Sequence, residues 1–173
     1  VTEIIPAADD DMVQTLPSTI VVALTTRGAI LSDGTSALYA YGNSAAALKI
    51  GDGVKVSARK TTYNGVPELT DITDVFVDSE GNAVNHPTAT DITATAAEYD
   101  ASVAEYIKLS GTLSVSGNYY NMTLDGIDPE TKMGSIVYPV DELNAKSFDG
   151  KKITVTGYFN GLSSKGRYIN IIA

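Results

Sequence analysis

A catalytic reading of this chain needs a base, a nucleophile or a metal cage, so the residues able to supply one come first. His86 is the only histidine and sits beside Pro87, with no second histidine to complete a metal pair. A serine triad would have to use the same His86, and no Gly-x-Ser-x-Gly elbow is present to present the nucleophile. There is no cysteine, which removes thiol nucleophiles, thiolate metal sites and disulfides. Carboxylates do cluster, at Asp9–Asp11, Asp71 with Asp74, Asp78 with Glu80, and Asp125 with Asp128 and Glu130. Each set offers oxygens to a calcium ion, but none has the spacing of an EF-hand loop, and turns and tails are where acidic residues normally lie. The glycines punctuate strand-like runs rather than opening a helix, so neither a phosphate-binding loop nor a dinucleotide fingerprint is present. The reading is a non-enzyme with no metal site and no cofactor, and His86 as a solvated loop residue.

What remains is aromatic and electrostatic. The 173 residues carry 21 Asp and Glu against 12 Lys and Arg, a formal net charge of −9. Residues 1–90 hold 11 acids and 5 bases, and residues 91–173 hold 10 and 7, so neither half is basic. Such a surface repels a phosphate backbone unless a local stripe of cations overrides it. The longest obvious apolar run, Ile20 to Leu24, is strand length, far short of the ~18 residues of a spanning helix.

The elements that would position the aromatic residues follow from period-two alternation. Ile20, Val22 and Leu24 alternate with Val21, Ala23 and Thr25; Arg27-Gly28 punctuates before Ala29 to Ser32; Asp33-Gly34 turns; and Leu38 and Ala40 alternate with Tyr39 and Tyr41. After Gly42, Asn43 precedes the helix formers Ser44 to Leu48, and Gly51 supplies a stop. Val54, Val56 and Ala58 make a fourth strand, Asn64-Gly65 a turn, and Leu69, Ile72, Val75 and Val77 a fifth. The order is three strands, a short helix and two strands.

It recurs. Ile107, Leu109, Gly111 and Leu113 alternate with Lys108, Ser110 and Thr112; Gly117-Asn118 turns; and Tyr120, Met122 and Leu124 alternate with Tyr119, Asn121 and Thr123. Ser135 to Val140 reads as a third strand, Asp141 to Lys146 as a helix capped by its aspartate, Ile153 to Gly157 as a fourth strand and Tyr168 to Ile172 as a fifth. Aligning Val56 with Val155 puts Val54 on Ile153 without a gap. Residues 1–17 read as a tail or leading strand, 18–80 as a first unit, 81–103 as a linker with a short helix near Ala96 to Tyr99, and 104–173 as a second unit.

Five short strands with a helix between the third and fourth describe the OB-fold, a Greek-key barrel, so the fold class is all-β with two such barrels in tandem. The resemblance runs from Ser18 onward and is carried by Gly28 to Thr35, Ile50 to Val56 and Tyr63-Asn64-Gly65 in the first unit. In the second unit, Ile107 to Leu113, Gly117 to Asn121 and Gly150 to Tyr158 resemble tandem OB-fold proteins exported by Gram-negative gut commensals. Where the first strand of such domains usually has Gly, the first unit has Ala23 and the second keeps Gly111. The resemblance implies an exported binding or accessory module. A start at Val1 rather than Met fits either a processed export signal or a trimmed chain.

OB barrels take ligands on the face of strands two and three, flanked by the loops after strands one and four. With Leu31, Leu38 and Ala40 inward, Ile30, Tyr39 and Tyr41 are expected outward, with Arg27 on one flanking loop and Tyr63 and Asn64 on the other. In the second unit the same logic exposes Tyr119, Asn121 and Val137, with Lys165 and Arg167 nearby. Tyrosines there can stack on sugar rings or bases, or simply suit a half-exposed sheet. The leading expectation is a glycan or protein partner. Single-stranded nucleic acid, motivated by Arg27, Lys55, Arg59 and Lys60, is disfavoured by charge, and a structural spacer is the third reading.

Overall fold

The computed structural model describes all residues, Val1–Ala173, and divides into two compact units, Val1–His86 and Pro87–Ala173. In the first, the strands are β1 (Met12–Gln14), β2 (Thr19–Thr25), β3 (Gly28–Ser32), β4 (Ala37–Tyr41), β5 (Gly53–Tyr63) and β6 (Val66–Ser79), with helix α1 (Asn43–Ala46) between β4 and β5. The ladder order is β5-β2-β3-β4-β6, and β6 pairs back onto β5, so the sheet closes into a five-stranded barrel. The β4–β6 contact is parallel and the other pairings of the ring are antiparallel, the arrangement of an OB-like barrel. Strand β1 is an addition outside the ring, laid antiparallel along β5 from Met12↔Arg59 to Gln14↔Ser57.

Alternation builds the core of this barrel. Val21, Leu31, Leu38, Val54, Val56 and Leu69 all face inward and are fully or almost fully buried. Ile4 joins them from the leading segment, and Ala45 and Leu48 from the α1 region. The expected Asn64-Gly65 turn is present, with φ of 51° and 85°, the positive pair that suits the twist of a two-residue hairpin. The helix is shorter than expected. Gly42, at φ 147°, holds the N-cap position, Asn43 is the first helical residue, and no side chain caps the helix. In β6 the apolar positions Leu69 and Ile72 lie three apart rather than two. Asp71, at φ 47°, and a register shift opposite Ser57 and Arg59 mark a bulge that resets the alternation.

The second unit has β7 (Thr90–Asp91), β8 (Tyr106–Ser116), β9 (Tyr119–Leu124), β10 (Met133–Ile136), β11 (Lys152–Ser163) and β12 (Tyr168–Ile172). Its order β11-β8-β9-β10-β12, closed by β11–β12 and with β10–β12 parallel, is the same barrel. Strand β7 adds outside the ring, parallel to β8, and a 3-10 helix at Thr93–Glu98 stands where a short helix was expected. Ile107, Leu109, Met122, Leu124, Ile169 and Ile171 are buried. Gly111 and Gly157 sit where strands press together: a Cβ would lie 2.2 Å from the Thr123 carbonyl oxygen at the first and 2.0 Å from that of Ile172 at the second.

Two expectations for this unit are corrected. The third strand runs over Met133–Ile136, ending before Val140, because Tyr138 takes φ 48° and Pro139 has no N–H to give a ladder. The expected helix over Asp141 to Lys146 is instead two 3-10 turns, Asp141–Leu143 and Ala145–Phe148. Asn144 between them is left-handed at φ 48°, which interrupts an α-helical path, and Asp141 makes no capping bond.

Candidate functional site

In the second barrel, burying Ile107, Leu109 and Leu113 on β8 turns Ser110, Thr112 and Ser114 outward, since side chains alternate across a strand. On β9, burial of Tyr120, Met122 and Leu124 turns Tyr119, Asn121 and Thr123 outward, and on β10 Gly134 and Ile136 leave Ser135 outward. Register brings these together: Thr112 lies opposite Thr123, Ser114 opposite Asn121 and Ser116 opposite Tyr119, while Asn121 faces Ser135 on its other side. The result is a patch three strands wide, about 10 Å across, made of hydroxyls, one carboxamide and one phenol. Tyr119 is 71% exposed, the most exposed large apolar side chain of the chain. Asn121 is half-buried.

No residue of this patch carries a charge. Of the ions beside it, Lys152 next to Thr112 and Asp125 beyond Leu124 are paired with each other at 3.0 Å, and Asp149 accepts from the Val115 N–H at 2.8 Å at the Ser114–Ser116 end. A sheet face of this kind presents hydrogen-bond donors and acceptors in a fixed plane beside an aromatic plate. Val137 is half-buried just beyond β10. Lys165 is exposed in the β11–β12 turn at φ 58°. Arg167 is occupied within the unit: it donates to the Pro129 carbonyl oxygen at 3.0 Å and to Glu130 at 3.4 Å, and its guanidinium lies 5.7 Å from the Tyr168 ring centre.

The corresponding face of the first barrel is corrected. Ile30 and Tyr39 do lie opposite each other and on the face away from Leu31 and Leu38, but both are buried, at 0% and 2% exposure. Tyr39 is built in: its hydroxyl is 2.7 Å from that of Thr25, and its ring meets Tyr41 edge-on at 6.3 Å. Gly28 gives it room, because a Cβ there would stand 2.9 Å from the Tyr39 hydroxyl and 2.1 Å from the Ala40 carbonyl oxygen. Alternation fixes which face a side chain takes, not whether that face meets water. Of the expected set in this unit, Tyr41 and Arg27 stay exposed and adjacent, with Gly28 opposite Tyr41 in register and the Gly42 N–H bonded to the Arg27 carbonyl. Tyr63, 57% exposed, and Asn64 form the tip of the β5–β6 hairpin.

Two of the five Lys and Arg side chains in the first unit are committed to carboxylates, whereas Arg27, Lys49 and Lys55 enter no salt bridge. Arg59 pairs with Asp71 at 3.1 Å, and the buried Lys60 ammonium bonds Asp9, whose carboxyl it holds below the usual range with help from Thr62. No group of three or more histidine or acidic side chains is placed to hold a metal ion, and His86 is exposed.

One feature escaped the sequence reading. The second barrel has an apolar cavity of about 260 Å³ at the end covered by the 3-10 turns, lined chiefly by Leu113, Ile136, Leu143, Phe148, Ile153 and Val155. The first barrel sends Ala45 and Leu48 from the α1 region into its core. In the second, Leu143 and Phe148 remain 39% and 41% exposed. The available signal was Asn144, a residue tolerant of left-handed backbone in the middle of the expected helix. The chain matches no protein-family model and no curated protein.

Proposed function

We propose that this protein is a non-catalytic module that binds a neutral glycan on the outward face of its second barrel. The observation that carries the reading is the uncharged patch of Thr112, Ser114, Asn121, Thr123 and Ser135 ending on the exposed Tyr119. Sugars offer hydroxyls at spacings that serine, threonine and asparagine side chains answer, and their C–H faces pack on an aromatic ring. A nucleic acid would call for several unpaired cations around such a patch, whereas Lys152 and Arg167 are each engaged by a carboxylate, so that of the cations singled out beside it only Lys165 stands outside a salt bridge. The proposal includes an exported setting, supported by the likeness of Gly150 to Tyr158 and its companions to exported tandem OB-fold proteins.

The test is a panel of immobilised neutral and acidic oligosaccharides, with single-stranded oligonucleotides alongside, at low and moderate salt. Binding to a neutral glycan that is insensitive to salt is expected, and Tyr119→Ala should weaken it about 5- to 30-fold, the loss of a stacked ring worth about 1 to 2 kcal/mol. Affinity for oligonucleotides alone, falling steeply with salt, would replace the glycan reading, and glycan binding untouched by Tyr119→Ala would remove the face.

A further inference from the structure

The far half of β6 is an open sheet edge. β6 pairs with β4 only at Glu68 and Leu69, so from Thr73 to Ser79 its one backbone neighbour is β5. Which of its groups are free follows from the other side of β5. The Val56 N–H donates to Thr15 Oγ1 at 2.8 Å and the Val56 carbonyl accepts from the Thr15 N–H at 2.9 Å, so both point away from β6. In an antiparallel ladder the residue opposite such a position points its own groups the other way, and that residue is Val75. Val54, whose carbonyl accepts from Thr15 Oγ1 at 3.3 Å, does the same for Val77. Val75 and Val77 therefore present N–H and C=O groups along an edge that no strand covers.

The side chains beside this edge describe what fits it. Val75 packs toward the core, so Asp74 and Phe76 share the opposite, outward face. The ladder shifts register between Val77 and Ser79, and Asp78 rejoins that face: its Oδ1 would stand 2.8 Å from a Cβ on Gly53, which lies on the Lys55 side of β5. Phe76 is 58% exposed and both aspartates are exposed. Glu80 follows; Lys55, across from Phe76, enters no salt bridge, and Arg59, farther along the same face of β5, is taken up by Asp71 and Asp10. The row reads acid, aromatic, acid. Pairing with a second copy through the same edge would bring carboxylates against carboxylates, which like-charge repulsion disfavours.

We propose that this edge takes up an extended basic segment of a partner protein by strand addition. The added strand bonds the free groups of Val75 and Val77, sets an apolar side chain against Phe76 and places Lys or Arg two residues to either side, against Asp74 and Asp78. This interaction uses the first barrel and is independent of the glycan reading.

The probe is a capped seven-residue peptide, Thr-Lys-Thr-Leu-Thr-Lys-Thr, titrated into the full chain and followed by backbone amide shifts. Saturable shifts at Thr73 to Ser79 are expected, and a peptide with Glu in place of Lys should bind at least tenfold more weakly. Charge reversal by Asp74→Lys with Asp78→Lys should invert that preference, and both sites are exposed, so the fold should tolerate it. Methylating the peptide nitrogens that face the edge should abolish binding, as should Val75→Pro, which removes an N–H that the β5 ladder does not use. No saturable shift with the basic peptide, equal affinity for the acidic one, an unchanged preference in the charge-reversed variant, or dimerisation of the chain through this edge would each overturn the proposal.

Discussion

The Tyr39 hydroxyl stands 2.7 Å from the Thr25 hydroxyl, on a sheet face that sequence alternation alone marks as outward. Thr25 in turn donates to the Gly28 carbonyl at 3.2 Å, so the two side chains bind the β2–β3 turn to β4. Tyr39→Phe should cost about 1 kcal/mol, the usual net value of a buried hydrogen bond, and Tyr39→Ala about 3 to 5 kcal/mol through the cavity left behind. Urea denaturation of the two variants measures both. Glycan binding at the second barrel should be unchanged in Tyr39→Phe.

Gly157 and Gly126 separate two kinds of glycine. At Gly157 a methyl group would sit 2.0 Å from the Ile172 carbonyl oxygen, where the β11 and β12 backbones approach, so Gly157→Ala should destabilise by more than about 2 kcal/mol. Gly126 has open space but φ of 73°, and Gly126→Ala should cost about 1 kcal/mol. Thermal melts of the pair should keep that order.

Glu68 gives stability a pH dependence. Burial pushes its carboxyl up to about 7 from its ordinary value of 4.5. Between those values the native state holds a proton that the unfolded chain has released, so stability falls as pH rises from about 4.5 to about 7 and levels off above. The full effect is about 3 kcal/mol at 1.36 kcal/mol per pH unit. Asp9 and Asp91, held low by bonds from Lys60 and Thr93, act in the opposite sense and have their effect complete by the mild-acid range. Stability should therefore peak in mild acid, and Glu68→Gln should flatten the decline toward neutral pH in denaturation curves taken from pH 4.5 to 8.

The barrels were legible because their signals are local and periodic. The run Ile107 to Leu113 declares an inward face by itself, and Asn64-Gly65 declares its turn. Elements that depend on distant partners were less legible: β1, three residues long, lies within the segment read as a tail or leading strand but exists through pairing with β5, and β7, two residues long, exists through pairing with β8. The Asp71 bulge and the Asn144 break arise from left-handed backbone at residues that are not glycine, which leaves asparagine's tolerance of that conformation as the only local signal at Asn144 and none as clear at Asp71. Of the candidate site, Tyr119 and Asn121 follow from alternation, while the burial of Tyr39 and Ile30 is a property of what surrounds their face. The uncharged character of the second face emerges only from register, since its members come from three strands.

The most direct test of the glycan reading is an amide-shift titration of the full chain with a neutral oligosaccharide identified from the panel, repeated at two salt concentrations. The account predicts saturable shifts confined to Thr112 to Thr123 and Ser135, the same affinity at both salts, and their loss in Tyr119→Ala. Shifts lying elsewhere, or none at millimolar sugar, would contradict it.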